Sequence, residues 1–255
     1  MEARAIYEEL SNVADLRPSE AVNALFARLV RVALSPEVQA HDLSCDDVAR
    51  LQALCGAGEY ELERFWVEET LAAADPPAAL RRFPYFQNYV NLTRLEWSSL
   101  TACQRHRSHS ILFCGGGPLP LTAILLARNY GIRSMVIDNC PDAVELSTRL
   151  VEALGLGGAI EIVHADARAY GSFEDYNTIF VAALAGVDDA AKADIFRRIR
   201  LEAPEDAHVM ARSSWGNRTL LYRPLPRTIY DELVPVAEVR PPGDIVNSIV
   251  IFRRP

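Results

Sequence analysis

At 255 residues the chain has room for one large domain or for a core domain with an appendage, and 50% hydrophobic with 24% charged residues is the composition of a globular protein. A net charge of −8 argues against a nucleic-acid groove, which needs clustered Lys and Arg; the densest basic run is only Arg105–His106–Arg107. The start, "MEARAIYEEL", has no apolar signal core, no run reaches the ~18 apolar residues of a spanning helix, and the five cysteines form no C-x-x-C pair, so a cytoplasmic protein with reduced thiols is expected.

Residues 1 to about 105 read as helices only. "SEAVNALFARLVRVAL" begins with Ser19 as N-cap and places Val22, Leu25, Phe26, Leu29, Val30 and Ala33 on one stripe. "SCDDVARLQALC" opens with a capping box, Ser44 with Asp47, and is expected to stop at Gly56. "EYELERFWVEETLAAA" then runs to Pro76–Pro77, and "YFQNYVNLTRLEWSSLTACQ" is the last helix before the pattern changes.

From Ser110 short apolar runs alternate with helices. Strands are expected at "SILFC", "RSMVID", "AIEIVHA", "TIFVAAL", "AHVMARS" and "SIVIFR", with "TLLYR" as a further candidate. Helices are expected over 118–130, 141–154 and 188–200, and a shorter one near 226–233. Such alternation implies an α/β fold with a mostly parallel sheet covered on both faces and an antiparallel pair at one edge.

In a doubly wound sheet the ligand sits beyond the carboxyl ends of the strands. The segment "FCGGGPLPLTAILLA" places Gly115, Gly116 and Gly117 there, between a strand and a helix. Asp138 ends the next strand at a spacing that suits a carboxylate accepting from ribose hydroxyls, and Asp166 follows the third strand near an adenine position. Pro118 and Pro120 lack the N–H groups that cradle a pyrophosphate at a helix N-terminus. The loop therefore fits an adenosine ligand without phosphate, and S-adenosylmethionine is the common one. A glycine triplet alone would be equally at home in any α/β turn; the two aspartates at successive strand ends favour the cofactor.

In "FPYFQNYVNLTRLEW", Tyr85, Tyr89, Leu92 and Glu96 follow i, i+4, i+7, i+11 and share a narrow strip of one helix face. On pattern alone, two packed tyrosines with satisfied hydroxyls and a solvated glutamate describe that strip better than a polar cavity does.

The segments "FPYFQNYVNLTRLEW", "GGGPLPLTAILLA", "VAALAG" and "ARSSWGNRTLLY" together resemble the nicotianamine synthase family, and especially its bacterial branch, which makes opine-type metallophores such as staphylopine and pseudopaline. The resemblance runs from about Phe83 onward. It implies an N-terminal helical domain, 1–105, joined to a class I methyltransferase-like Rossmann domain, 106–255. It also implies transfer of the 3-amino-3-carboxypropyl (aminobutanoyl) group of S-adenosylmethionine to an amine, with release of methylthioadenosine and no metal required. The family pattern puts the cofactor near Gly115, Gly116, Gly117, Pro118, Leu119 and Thr122, with Asp138 and Asn139 at the ribose, Asp166 and Ala167 at the adenine, and Ala182, Ala183 and Leu184 after the fourth strand. Glu96 matches the reactive-centre glutamate, assisted by Tyr85 or Tyr89, and Asn88, Arg212 and Tyr222 match amino-acid-binding positions. One departure is Cys140 in "DNCP", where the family has a second acidic residue.

Such a reaction presents the methionine Cγ to the nucleophile in line with sulfur, and the acceptor amine must first lose a proton, the role expected of Glu96. The bacterial branch implies histidine as acceptor, an opine-type dehydrogenase downstream, and is compatible with a homodimer. Its five histidines (His41, His106, His109, His164, His208) show no metal-ligand spacing, and Trp215 in "SSWGN" reads as a packed aromatic. Two alternatives stay open: an ordinary small-molecule methyltransferase, and a silent cofactor-binding protein.

Overall fold

The computed structural model describes residues 2–35, 43–104, 108–186 and 188–255. The expected boundary at 105/106, the basic run Arg105–Arg107, His41 and His106 all lie outside the described residues. The chain opens with five helices: α1 (Glu2–Ser11), α2 (Glu20–Leu34), α3 (Cys45–Ala72), α4 (Pro76–Leu80) and α5 (Phe86–Cys103). Ser19 caps α2 by accepting from the Val22 N–H, and Ser44 with Asp47 closes a reciprocal capping box on α3.

Gly56 does not end a helix. α3 runs through it for 28 residues. Gly58 serves packing: a Cβ there would lie 2.3 Å from the Phe26 ring of α2, so any larger residue would force that ring to move. The cost of glycine in a helix interior, roughly 1 kcal/mol, is outweighed by the burial of Leu51, Cys55, Val67 and Thr70 along the same face.

The remainder alternates strand and helix: β1 (Ser110–Cys114), α6 (Leu121–Tyr130), β2 (Arg133–Asp138), α7 (Pro141–Ala153), β3 (Ile160–His164), β4 (Thr178–Val181), α8 (Asp189–Glu202), β5 (His208–Ser213), α9 (Ile229–Glu232), β6 (Val234–Val239) and β7 (Ser248–Arg253). They build a seven-stranded sheet of order β3-β2-β1-β4-β5-β7-β6. The first five positions are parallel, and β7 runs antiparallel between β5 and β6. The antiparallel edge pair is thus β6 with β7. "TLLYR" is not a strand: Gly216–Leu220 forms a 3-10 turn, Trp215 stacks 4.1 Å from the Arg218 guanidinium, and the Ser214 hydroxyl donates to the Tyr222 carbonyl.

The helices are not a separate body of core. Val67, Leu80, Phe83, Leu92, Trp97 and Leu100 pack in one cluster with Ile111, Phe113, Ile124 and Ile251 of the α/β portion. Strand order reverses between β1 and β4, and there the crevice opens at the strand carboxyl ends. α3 and α5 lie across it. No helix among the described residues is long and apolar enough to cross a membrane.

Candidate active site

The glycine loop spans Gly115 to Pro120, and α6 starts only at Leu121 with Pro120 at its N-cap. The two prolines therefore precede the helix and are not part of its first turn, as the expected 118–130 helix had them. At the end of β2 the Asp138 carboxylate is already engaged: Oδ2 accepts from the Gly117 N–H at 2.8 Å and Oδ1 from the Cys140 N–H at 2.9 Å. Each oxygen keeps a free lone pair for a ligand hydroxyl. Past β3, Asp166 is held by Arg168, whose guanidinium and N–H bonds set its pKa below the ordinary carboxylate value. Every residue assigned to the cofactor from sequence, from Gly115 through Thr122, Asp138, Asn139, Asp166, Ala167, Ala182, Ala183 and Leu184, lines one cavity of about 270 Å³.

The opposite wall of that cavity comes from α3 and α5: Gly56, Glu59, Tyr60, Glu63 and Tyr89. Glu63 accepts from the Tyr89 phenol at 3.3 Å and lies against the glycine loop at Gly117. Glu59, one helical turn earlier, accepts from the Tyr222 phenol at 2.8 Å. Burial raises the pKa of Glu59, and raises that of Glu63 well above the usual carboxylate value with the Glu59 charge adding to it. Burial likewise pushes the Tyr89 and Tyr222 phenols up, with the carboxylates beside them. Gly117 has φ +63°, and a Cβ there would stand 2.8 Å from Glu63 Oε2, so the loop and the carboxylate meet in a space that admits no side chain.

Glu96 has a different place from the one expected of a reactive-centre base. It is fully buried, and both its oxygens are taken by Arg212: Nε to Oε1 at 2.7 Å and Nη2 to Oε2 at 3.1 Å. It is not among the cavity-lining residues. The periodic strip on α5 exists, but Tyr89 turns to Glu63 while Glu96, two turns on, lies behind Arg212. Arg212 itself reaches the cavity, donates to the Thr122 hydroxyl and sits 5.7 Å from the centroids of both Tyr89 and Phe113. Burial alone would lower its pKa, but the Glu96 carboxylate more than compensates, and the guanidinium stays charged.

A second cavity, of about 310 Å³, lies between α2, α3 and α5. Tyr85 and Asn88 belong to it, not to the cofactor cavity, and the Asn88 amide donates to the Asp244 carbonyl. Glu59, Glu63, Tyr89, Tyr222 and Asn247 line both cavities. The two carboxylates thus stand at the junction of two chambers, one floored by the glycine loop and one walled mostly by apolar side chains. Such a pair can hold an amine between them and take its proton.

The sequence hides Glu59 and Glu63 because Gly56 has the signal of a helix end. Read without the break, Cys55, Glu59, Glu63, Val67 and Thr70 fall on one helix face, and two acids inside an otherwise inward stripe are the visible signal. Cys140, at the position where a second acid was expected, lines the cofactor cavity with its Sγ 3.7 Å from the Tyr60 hydroxyl. Among the described residues no cluster of His, Cys, Asp and Glu has the arrangement of a metal site.

The sequence pattern of the nicotianamine synthase protein family matches residues 2–255. The likeness therefore begins at the first helix, well before Phe83. A nicotianamine synthase of Solanum lycopersicum is 30% identical over 259 residues, covering 98% of this chain and 81% of that protein. Among solved structures, MtNAS in complex with MTA and tNA superposes with a TM-score of 0.87 at 23% identity, covering 99% of this chain and 96% of that one. A glutamate-to-glutamine variant of MtNAS in complex with S-adenosylmethionine gives a TM-score of 0.86 at 24% identity, over 99% and 96% of the two chains. At these identities the structural likeness establishes the fold.

Proposed function

Because the chain belongs to the nicotianamine synthase family, we propose that it binds S-adenosylmethionine in the glycine-loop cavity and transfers the 3-amino-3-carboxypropyl group to the α-amine of an amino-acid acceptor, releasing methylthioadenosine. The observation that carries this reading is the junction itself: Glu59 and Glu63, each hydrogen-bonded to a tyrosine, lie between the cofactor cavity and a second chamber able to receive an acceptor.

Asp138 receives the ribose hydroxyls, Asp166 and Ala167 edge the adenine, and the prolines suit a ligand with no phosphate. The cofactor's methionine portion passes along Gly117 toward Glu63, which brings its Cγ to the mouth of the second chamber. The acceptor amine arrives protonated and loses a proton to the Glu59–Glu63 pair, whose raised pKa values make it a stronger base than a solvated carboxylate. The freed lone pair attacks Cγ as the Cγ–S bond breaks, and sulfur leaves as the neutral thioether of methylthioadenosine. Glu96 acts through Arg212: it uses the Nε and Nη2 edge, leaving Nη1 to pair with an amino-acid carboxylate.

The proposed acceptor is histidine, and the product a precursor for an opine-type dehydrogenase. What supports histidine is the character of the second chamber. Among the described residues no Lys or Arg lines it, so an acidic side chain meets no counter-charge there, while Asn23, Asn88, Asn247 and Tyr85 offer hydrogen bonds to a neutral ring. Incubation with S-adenosylmethionine and histidine, followed by mass spectrometry of the nucleoside, tests the reading. Methylthioadenosine with an aminocarboxypropyl-histidine supports it; S-adenosylhomocysteine identifies a methyltransferase; unconsumed cofactor identifies a binding protein.

A further inference from the structure

Of the 26 basic residues in the chain, Lys192 is the single lysine; every other is arginine. It is also one of the most deeply buried charges, 3% exposed on the first turn of α8. Its Nζ donates to the carbonyls of Ala182 and Ala183, at 3.2 and 2.8 Å. Those carbonyls belong to the loop after β4, whose residues 182–186 wall the cofactor cavity, whereas Lys192 takes no part in the lining.

The consequence follows from peptide geometry. In a trans peptide the C=O and the next N–H point in opposite directions, and among the described residues no peptide is cis. With the Ala182 and Ala183 carbonyls drawn toward Lys192, the N–H groups of Ala183 and Leu184 are turned away from it, to the side where their residues face the cavity. Ala182 N–H is consumed by Cys114 O and Ala185 N–H by Ala182 O, but among the described residues neither the Ala183 nor the Leu184 N–H has a partner. The loop cannot shift away from this arrangement easily: a side chain at Gly186 would strike the Lys192 backbone at 2.7–2.8 Å, and the Ala182 and Ala185 methyls pack within 3.3 Å of the Cβ position of Gly115.

We propose that Lys192 is a positioning residue of the cofactor site: its ammonium pins two carbonyls behind the β4 loop and so presents the Ala183 and Leu184 N–H groups to hydrogen-bond acceptors of the bound nucleoside. A guanidinium would not serve. It is planar, larger, and cannot place a point charge between two adjacent carbonyls in so enclosed a space. Burial lowers the Lys192 pKa to about 8, against the opposing charge of Asp189, which is itself 3.6 Å from Arg223. The charged amine is the stronger donor, so the loop is held most firmly below that pH.

This rests on the reading of the cavity as a nucleoside site, and the experiment separates the two. Methylthioadenosine binding to the full chain is measured by calorimetry for the wild type and Lys192→Met, which keeps the stem and removes the ammonium. If the wild type does not bind, the nucleoside reading itself fails. If it binds, Lys192→Met is expected to bind about tenfold more weakly, the loss of one to two charge-assisted bonds; unchanged affinity overturns the positioning role. A second measurement needs no variant. Enzyme labelled with ¹³Cε-lysine gives one side-chain signal, whose titration midpoint is expected to rise on saturation with methylthioadenosine, because a ligand held by the charged form must favour it. A midpoint that does not move overturns the proposal even if Lys192→Met fails to fold.

Discussion

Glu63 follows Glu59 by one turn of α3, and its pKa, raised first by burial, is raised again by the carboxylate of that neighbour. Ionising both carboxylates at once is therefore disfavoured, and the two titrations are linked.

Glu63→Gln preserves shape and the hydrogen bond from Tyr89 but cannot accept a proton. Turnover is expected to fall by ~10²–10⁴-fold, the usual worth of a general base. Methylthioadenosine affinity should stay within a few-fold, since Asp138 and the β4 loop are untouched. Release of methylthioadenosine under saturating acceptor is the assay, and a variant retaining wild-type kcat would remove Glu63 from the chemistry.

The same substitution has an opposite effect on stability. A carboxyl whose folded pKa lies above its unfolded value stabilises the fold below the unfolded pKa and loses that contribution as pH rises through the folded one. Glutamine has no such loss. Glu63→Gln is thus expected to melt above the wild type at pH 8, with the difference shrinking toward pH 4. Melting curves across that range check it, and a gain that grows on acidification would reverse the assignment.

Glu96→Gln leaves Arg212 buried without its counter-charge. Breaking such a pair costs about 3–5 kcal/mol, so thermal stability is expected to drop sharply while the acid limb of the pH–rate profile keeps its position. Wild-type melting combined with a hundredfold loss of kcat would restore Glu96 as the base.

Asp138→Ala removes the proposed acceptor for ribose and strands the Gly117 N–H. Methylthioadenosine binding should weaken by roughly ten- to a hundredfold, as for loss of a charged acceptor worth about 1.5–3 kcal/mol. Calorimetry with unchanged affinity would take Asp138 out of the nucleoside site.

Much of this arrangement is legible in the sequence where local chemistry governs. Ser19, the Ser44–Asp47 box and the strands from Ser110 to Asp138 follow from capping and alternation alone, and the glycine loop with Asp138 marks the crevice. The errors arise where a distant partner overrides a local signal. Gly56 would end an isolated helix, but tertiary packing carries α3 past it. Glu96 has the spacing of a site residue, yet its role is set by Arg212, which is 116 positions away in the chain. "TLLYR" has strand composition, and loses to the turn set by Gly216 and the Trp215–Arg218 stack.

The position of β7 also fixes an order of assembly. Ser248–Arg253 pairs with β5 on one side and β6 on the other, so β6 emerges from the ribosome before the strand that attaches it. Arg212 on β5 lies opposite Ile249, and its strand remains an open edge until the same moment. The parallel half of the sheet can form as it is synthesised. The cavity wall bearing Arg212 gains its second neighbouring strand only when β7 is inserted between β5 and β6.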